Sequence, residues 1–188
     1  ISIKRLPRNL QIFIIVSTIF SLGNFGYAFL IVRSNKLGYS DTTTLLLYIL
    51  FYIVYTLFTI PAGMLSDKIG RKPVLIIGYL VFAATAICLI FTSQLYMLIF
   101  IFILYGIFFG FIDGVQRAFV VDLAPSDLKG TALGTFHTAT GLIALPAGII
   151  AGTLWDTYSP QATFLFALGL SICALIMFFF VKNNKQHE

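Results

Sequence analysis

The chain has 188 residues, of which 59% are hydrophobic and only 10% charged, and its mean hydropathy is +0.98. A water-soluble domain of this length has too little polar surface to cover so much apolar material, so the solvent for most of the chain is lipid. The net charge of +5 does not indicate nucleic acid, because the cations are scattered between apolar runs and line no single face.

Six apolar runs are each long enough to cross a hydrocarbon core about 30 Å thick at about 1.5 Å per residue. The first covers about 10–32, follows Lys4, Arg5 and Arg8, and places Ser17, Ser21 and Asn24 at i, i+4 and i+7. The second, about 44–65, carries Tyr48, Tyr52, Tyr55 and Thr59 at helical spacing. The third, about 73–91, is apolar nearly all round and is expected to face lipid. The fourth, about 95–121, holds Gly106, Gly110 and Gly114 beside Asp113 and Arg117. The fifth, about 131–154, runs His137, Gly141, Ala144 and Gly148 down one face, with Pro146 marking a kink. The sixth, about 162–181, is apolar like the third and shares its expected lipid exposure. Polar groups facing hydrocarbon are costly, so spans one, two, four and five are expected to line a shared interior or cavity. The reading is an all-α membrane protein, one six-helix unit over residues 1–188.

Lys and Arg are distributed unequally over the two sides of this arrangement. Lys4, Arg5, Arg8, Lys68, Arg71, Lys72, Lys129, Lys182 and Lys185 fall on one side, with Arg117 near it, and only Arg33 and Lys36 fall on the other. The positive-inside rule then puts both termini in the cytoplasm, as expected for the plasma membrane of a prokaryote. Cys88 and Cys173 lie in apolar runs with neither disulfide nor metal spacing and read as small buried hydrophobes. The chain begins at Ile1 and not at Met, which fits a fragment, and the first apolar run is too long for a cleavable signal.

The turn between the second and third spans is the most specific signal. It reads Gly63-Met64-Leu65-Ser66-Asp67-Lys68-Ile69-Gly70-Arg71-Lys72, with one acid and three cations between two membrane runs. Gly63 is expected to let helices approach closely and Gly70 to permit a sharp turn. The loop resembles the signature loop of the major facilitator superfamily at every specified position. A second segment, Asp127-Leu128-Lys129-Gly130-Thr131-Ala132-Leu133-Gly134, resembles that family's turn from the fourth into the fifth helix of a half.

The resemblance spans essentially the whole chain and implies one half of a twelve-helix transporter, built of two inverted three-helix repeats. The basic opening Ile3 to Asn9 and the end of the chain soon after its sixth span favour the C-terminal half. The family's peripheral third and sixth helices agree with the polarity sorting above. The implied function is secondary active transport of a small solute by alternating access, proton-coupled, with export favoured by likeness to drug-efflux members. The stretch Gly141 to Gly148 lacks the antiporter Gly-Pro motif, so it does not fix direction. The implied partners are the lipid bilayer, a small-molecule substrate, and a second half in the same chain or a self-associated copy; no nucleic acid, metal or cofactor is implied. In the family the loop acid approaches the positive end of a helix of the opposite half and its cations join a charge network. That assigns a gating role to Gly63, Asp67, Lys68, Gly70, Arg71 and Lys72, with Asp122 at the foot of the fourth helix as a partner.

Several residues carry two readings. Asp113 is the only acid well inside a span and is the candidate for proton coupling, while Arg117 at i+4 gives it the competing reading of a purely structural ion pair. Asn24, Tyr48, Tyr52 and Tyr55 are candidate cavity residues or helix-packing groups. His137 could face the cavity or simply bond neighbouring Thr or backbone groups. The glycines at 106, 110 and 114 are expected to serve close helix packing. An enzyme finds no support: GxSxG, HExxH and Walker loops are absent, and His137 and His187 form no metal pair. The alternative outside transport is a membrane scaffold or receptor derived from a transporter half.

Overall fold

The computed structural model of the chain describes residues 6–181. Lys4, Arg5, Lys182, Lys185 and His187 lie outside the described residues. The elements are α1 (Arg8–Gly23), α2 (Gly26–Lys36), α3 (Asp41–Ile69), α4 (Arg71–Ile90), α5 (Leu95–Leu123), α6 (Lys129–Thr157) and α7 (Pro160–Phe178), with no strand among the described residues. Among the described residues, six segments are long and apolar enough to cross a membrane, the first being α1 and α2 taken together. The chain is thus an all-α protein of six membrane helices.

Local chemistry explains where the helices start and stop. Ser40 Oγ accepts the Thr43 N–H at the start of α3, and Ser159 Oγ accepts the Ala162 N–H at the start of α7, where Pro160 occupies the first turn. Gly70 sits at φ 91°, a left-handed conformation that lets α3 reverse into α4 without an intervening loop.

The first span is not the continuous helix its hydropathy suggests. It breaks at Asn24 and Phe25, where Gly26 takes φ 69°. A break in a membrane helix needs its freed backbone groups satisfied, and Asn24 Oδ1 accepts the Gly26 N–H at 3.1 Å. Tyr105 on α5 donates to the same oxygen at 3.2 Å, so the break is pinned to a neighbouring helix. Ser17, expected on a cavity-facing polar stripe, is fully buried in the core; the face it occupies packs against other helices.

The core lies where α1, α4, α5 and α7 meet and is largely aromatic. Phe20 stacks on Tyr79 with ring centroids 3.9 Å apart, and Phe82, Phe108 and Phe25 close around them. A second cluster joins Phe13 of α1 to Phe119, Phe136 and Phe178 of three other helices. The third and sixth spans, expected to face lipid, each pack one face inward: α4 buries Val74, Leu75, Tyr79, Phe82 and Leu89, and α7 buries Phe164, Ala167, Ala174 and Phe178. Their other faces point outward, with Leu80 and Ile87 exposed on α4 and Leu165, Ile172 and Ile176 on α7. A helix apolar all round suits a core as well as a bilayer, and composition does not separate the two. The least buried spans are α3 and α6, which leave Leu45, Leu46, Leu57, Ile60, Leu142, Leu145 and Ile149 uncovered.

Glycines decide how closely α3 and α5 approach. A Cβ at Gly106 would stand 2.8 Å from the Phe51 carbonyl oxygen, and one at Gly110 would stand 2.8 Å from Phe58 Cβ, so both positions require glycine for the contact. Gly63 and Gly114 differ from expectation: nothing stands within 4 Å of a Cβ at either. They line a groove instead of a contact. Cys173 also departs from its reading, being exposed on α7, while Cys88 is half-buried.

Candidate functional site

Two constellations lie on the open side of α3 and α5. The first is at the end of the unit where α3 turns into α4. Arg71, in the first turn of α4, pairs through Nε with Asp122 Oδ2 near the end of α5, while its Nη2 lies 3.7 Å from Asp67 Oδ1 near the end of α3. One guanidinium thus joins three helices. The fork of the arginine allows this, since its nitrogens address two carboxylates in different directions. Asp67 remains 71% exposed, so its carboxylate is available to a group outside the unit.

A cavity of ≈ 260 Å³ opens here between Ser66, Asp67, Arg71, Phe119 and Asp122. A neighbouring groove of ≈ 320 Å³ continues along Thr59, Gly63, Gly110 and Gly114 and shares Ser66, Asp67 and Arg71 with it. The two uncrowded glycines explain its width. The remaining loop cations do not join the Arg71 cluster. Lys72 turns toward α7, donating to the Val181 carbonyl at 2.5 Å and lying 5.9 Å from the Phe178 ring centroid, and Lys68 is exposed.

The second constellation lies deeper along the same two helices. Asp113 pairs with Arg117 one turn further on, and Tyr55 of α3 donates to Asp113 Oδ2 at 2.8 Å. Arg117 Nε also donates to the Asp113 carbonyl at 3.0 Å. The pair is not enclosed: the two side chains are 43% and 49% exposed. Tyr48 donates to Tyr52 at 3.2 Å, and Tyr27 of α2 lies 5.2 Å from Tyr48 by ring centroids, so a row of tyrosines leads along α3 toward the carboxylate.

Of the other residues singled out by sequence, Asn24 is engaged at the helix break described above. His137 is exposed on α6 with its ring against Phe136. Two links at the opposite end of the unit were not anticipated. Arg33 is buried and donates to the Thr92 carbonyl between α4 and α5, and Lys36 lies 5.6 Å from the Trp155 ring centroid of α6. In the sequence both enter only as the two cations of the sparsely charged side. Their place in the last turn of a span, within reach of aromatic or carbonyl partners, was the available signal. No group of three or more potential metal ligands occurs among the described residues.

Comparison with known proteins agrees with this geometry. The major facilitator superfamily matches residues 12–188. An uncharacterised MFS-type transporter of Methanocaldococcus jannaschii is 42% identical over 187 residues, covering 96% of this chain and 47% of its own. Multidrug resistance protein MdtG of Proteus mirabilis is 32% identical over 83% of this chain and 40% of its own, and the multi-drug resistance efflux pump PmrA of Streptococcus pneumoniae is 32% identical over 66% and 31%. The chain spans less than half the length of each. Among solved structures, an auto-inhibited POT family peptide transporter superposes with a TM-score of 0.78 at 18% identity, covering 97% of this chain and 38% of its own, which is a likeness of fold. The six-helix unit, with its Asp67 turn and open α3–α5 face, is an integral membrane protein belonging to the major facilitator superfamily.

Proposed function

We propose that the chain is one half of a secondary active transporter that moves a small solute by alternating access. The observation that carries this reading is Arg71 held between Asp67 and Asp122, with Asp67 left open to a partner. A charge cluster at one end of a cavity is a two-state element: it holds that end shut when complete and must break when the cavity opens there. The second six-helix half supplies the opposing surface, from the same chain or from a second copy. Asp67 then faces the positive end of a helix in that half.

The end carrying Arg8, Lys68, Arg71, Lys72 and Lys129 is the cytoplasmic one, which puts both termini inside the plasma membrane of a prokaryotic cell. Export is supported by the relatives named for multidrug resistance. Coupling to protons is assigned to Asp113, an ionisable group inside a span on the open face.

A substrate-independent test follows from the gate. In the whole protein lacking Cys88 and Cys173, Thr56→Cys puts a thiol on the exposed face of α3. Adding Asp67→Asn should increase its labelling from the cytoplasmic side and decrease it from outside. Labelling from one side only, unchanged by Asp67→Asn, would sink alternating access through this gate.

A further inference from the structure

We propose that the open face binds a solute bearing both an ammonium and a carboxylate on an aromatic body, held between Asp113 and Arg117 with Tyr55, Tyr52 and Tyr48 beside it. This rests on the transport reading only in taking that face to be reached by solute.

The bonding of the pair carries the argument. Both side-chain bonds to the Asp113 carboxylate end on Oδ2, one from Tyr55 at 2.8 Å and one from Arg117 Nη2. Oδ1 has no hydrogen-bond partner among the described residues and stays open to a donor. Arg117 directs Nε to the backbone of its own helix and Nη2 to Oδ2, leaving Nη1 uncommitted. A fixed acceptor and a fixed donor thus stand side by side, half-exposed. The three bonds that hold them mean little ordering is lost when a ligand arrives.

Charge then selects the ligand class. A simple cation would have to share Asp113 with Arg117, and a simple anion would meet Asp113 beside the guanidinium it sought. A ligand with both charges adds a charge-assisted bond to each member of the pair and leaves no uncompensated charge within the membrane. The ring surroundings favour an aromatic body. Tyr52 stands edge-on to Tyr48 at 5.0 Å, Tyr55 lies 5.9 Å from Phe109, and these π faces attract both rings and ammonium groups.

The test is equilibrium binding to the whole protein in detergent of three tritiated probes that share one aromatic body and differ in which charges they carry: phenylalanine, its methyl ester and N-acetylphenylalanine. Phenylalanine should bind about tenfold or more tighter than either blocked form, the effect of one lost charge-assisted bond. Arg117→Gln should bring phenylalanine down to the level of its methyl ester. The double variant Asp113→Asn with Arg117→Gln, which strands no charge, should bind all three probes alike while keeping wild-type helix content by circular dichroism. A blocked form binding as tightly as phenylalanine to the wild type, or no binding of any probe, overturns the proposal. Zwitterion binding without flux in liposomes would overturn the transport reading and leave this one standing. Flux of a solute with no zwitterion preference would do the reverse.

Discussion

Arg33, in the last turn of α2, donates through Nη2 to the Thr92 carbonyl oxygen at 2.8 Å, and both residues are buried. The first span is thereby tied to the turn between α4 and α5, at the end of the unit opposite the Arg71 cluster. No acid pairs with Arg33 among the described residues, so this hydrogen bond is what holds the guanidinium in place. Arg33→Ala should lower the stability of the detergent-solubilised whole protein by roughly 1.5–3 kcal/mol, the range for a bond to a charged donor. Thermal unfolding measures it. Equal midpoints for variant and wild type would show that the tie carries no stability.

The glycines of α5 separate cleanly into two kinds. Gly106→Val would drive a side chain into the Phe51 carbonyl and Val54, 2.8 and 2.9 Å from the position of the new Cβ, and should cost about 1–3 kcal/mol. Gly114→Ala meets nothing within 4 Å and should be neutral or gain up to about 1 kcal/mol from helix propensity. Similar unfolding midpoints for the two variants would contradict the contact geometry.

Orientation is open to a labelling test. In a background lacking Cys88 and Cys173, a cysteine replacing Lys36 should react with an impermeant reagent on intact cells. One replacing Lys68 should react only after permeabilisation. The reverse pattern would invert the assignment of the Asp67 end to the cytoplasm.

The six spans were legible because hydropathy over about 20 residues depends on the bilayer and not on tertiary detail. The Asp67 turn was legible because its residue types are tied to one local shape, including the positive φ of Gly70. What escaped depends on partners distant in the chain. Tyr55 and Asp113 are 58 residues apart, and Arg33 and Thr92 are 59 apart, so neither contact has a local signature. The break at Asn24 was hidden for the same reason: an Asn on a polar stripe looks like a cavity residue until Gly26 and Tyr105 are seen to share its oxygen. Small-residue spacing marked Gly106, Gly110 and Gly114 alike, although only the first two have a helix pressed against them. Which residues of the apolar α4 and α7 turn inward and which outward was hidden because lipid and an aromatic core make the same demand on a side chain.

At the gate, the pairing of Arg71 with Asp122 predicts rescue by charge exchange. Asp122→Asn alone should depress transport by the whole protein while leaving membrane insertion near normal, because Arg71 then keeps only the longer approach to Asp67. Arg71→Asp alone should be worse, placing three carboxylates together. Combining Arg71→Asp with Asp122→Arg restores one opposite-charge pair and should recover part of the loss. Failure of the double variant to exceed both single ones would remove the pair from the gate, and loss of insertion in Asp122→Asn would recast it as a folding contact.

Asp113 offers the sharpest test of coupling. Its carboxylate sits inside a span, faces the open side of α5, and is touched by the Tyr55 hydroxyl and the Arg117 guanidinium. A coupling proton on Asp113 would remove the charge that holds Arg117 and so release the pair for the switch. Asp113→Asn fixes the neutral form. With any solute the wild-type whole protein accumulates against its gradient, this variant should show no accumulation driven by a pH gradient, even with solute raised about tenfold to offset one lost charge-assisted bond. Downhill exchange of the same solute should persist, since it requires switching but no net proton movement. Accumulation retained by Asp113→Asn would place the coupling proton elsewhere, and loss of expression reversed by adding Arg117→Gln would show that the pair serves structure alone.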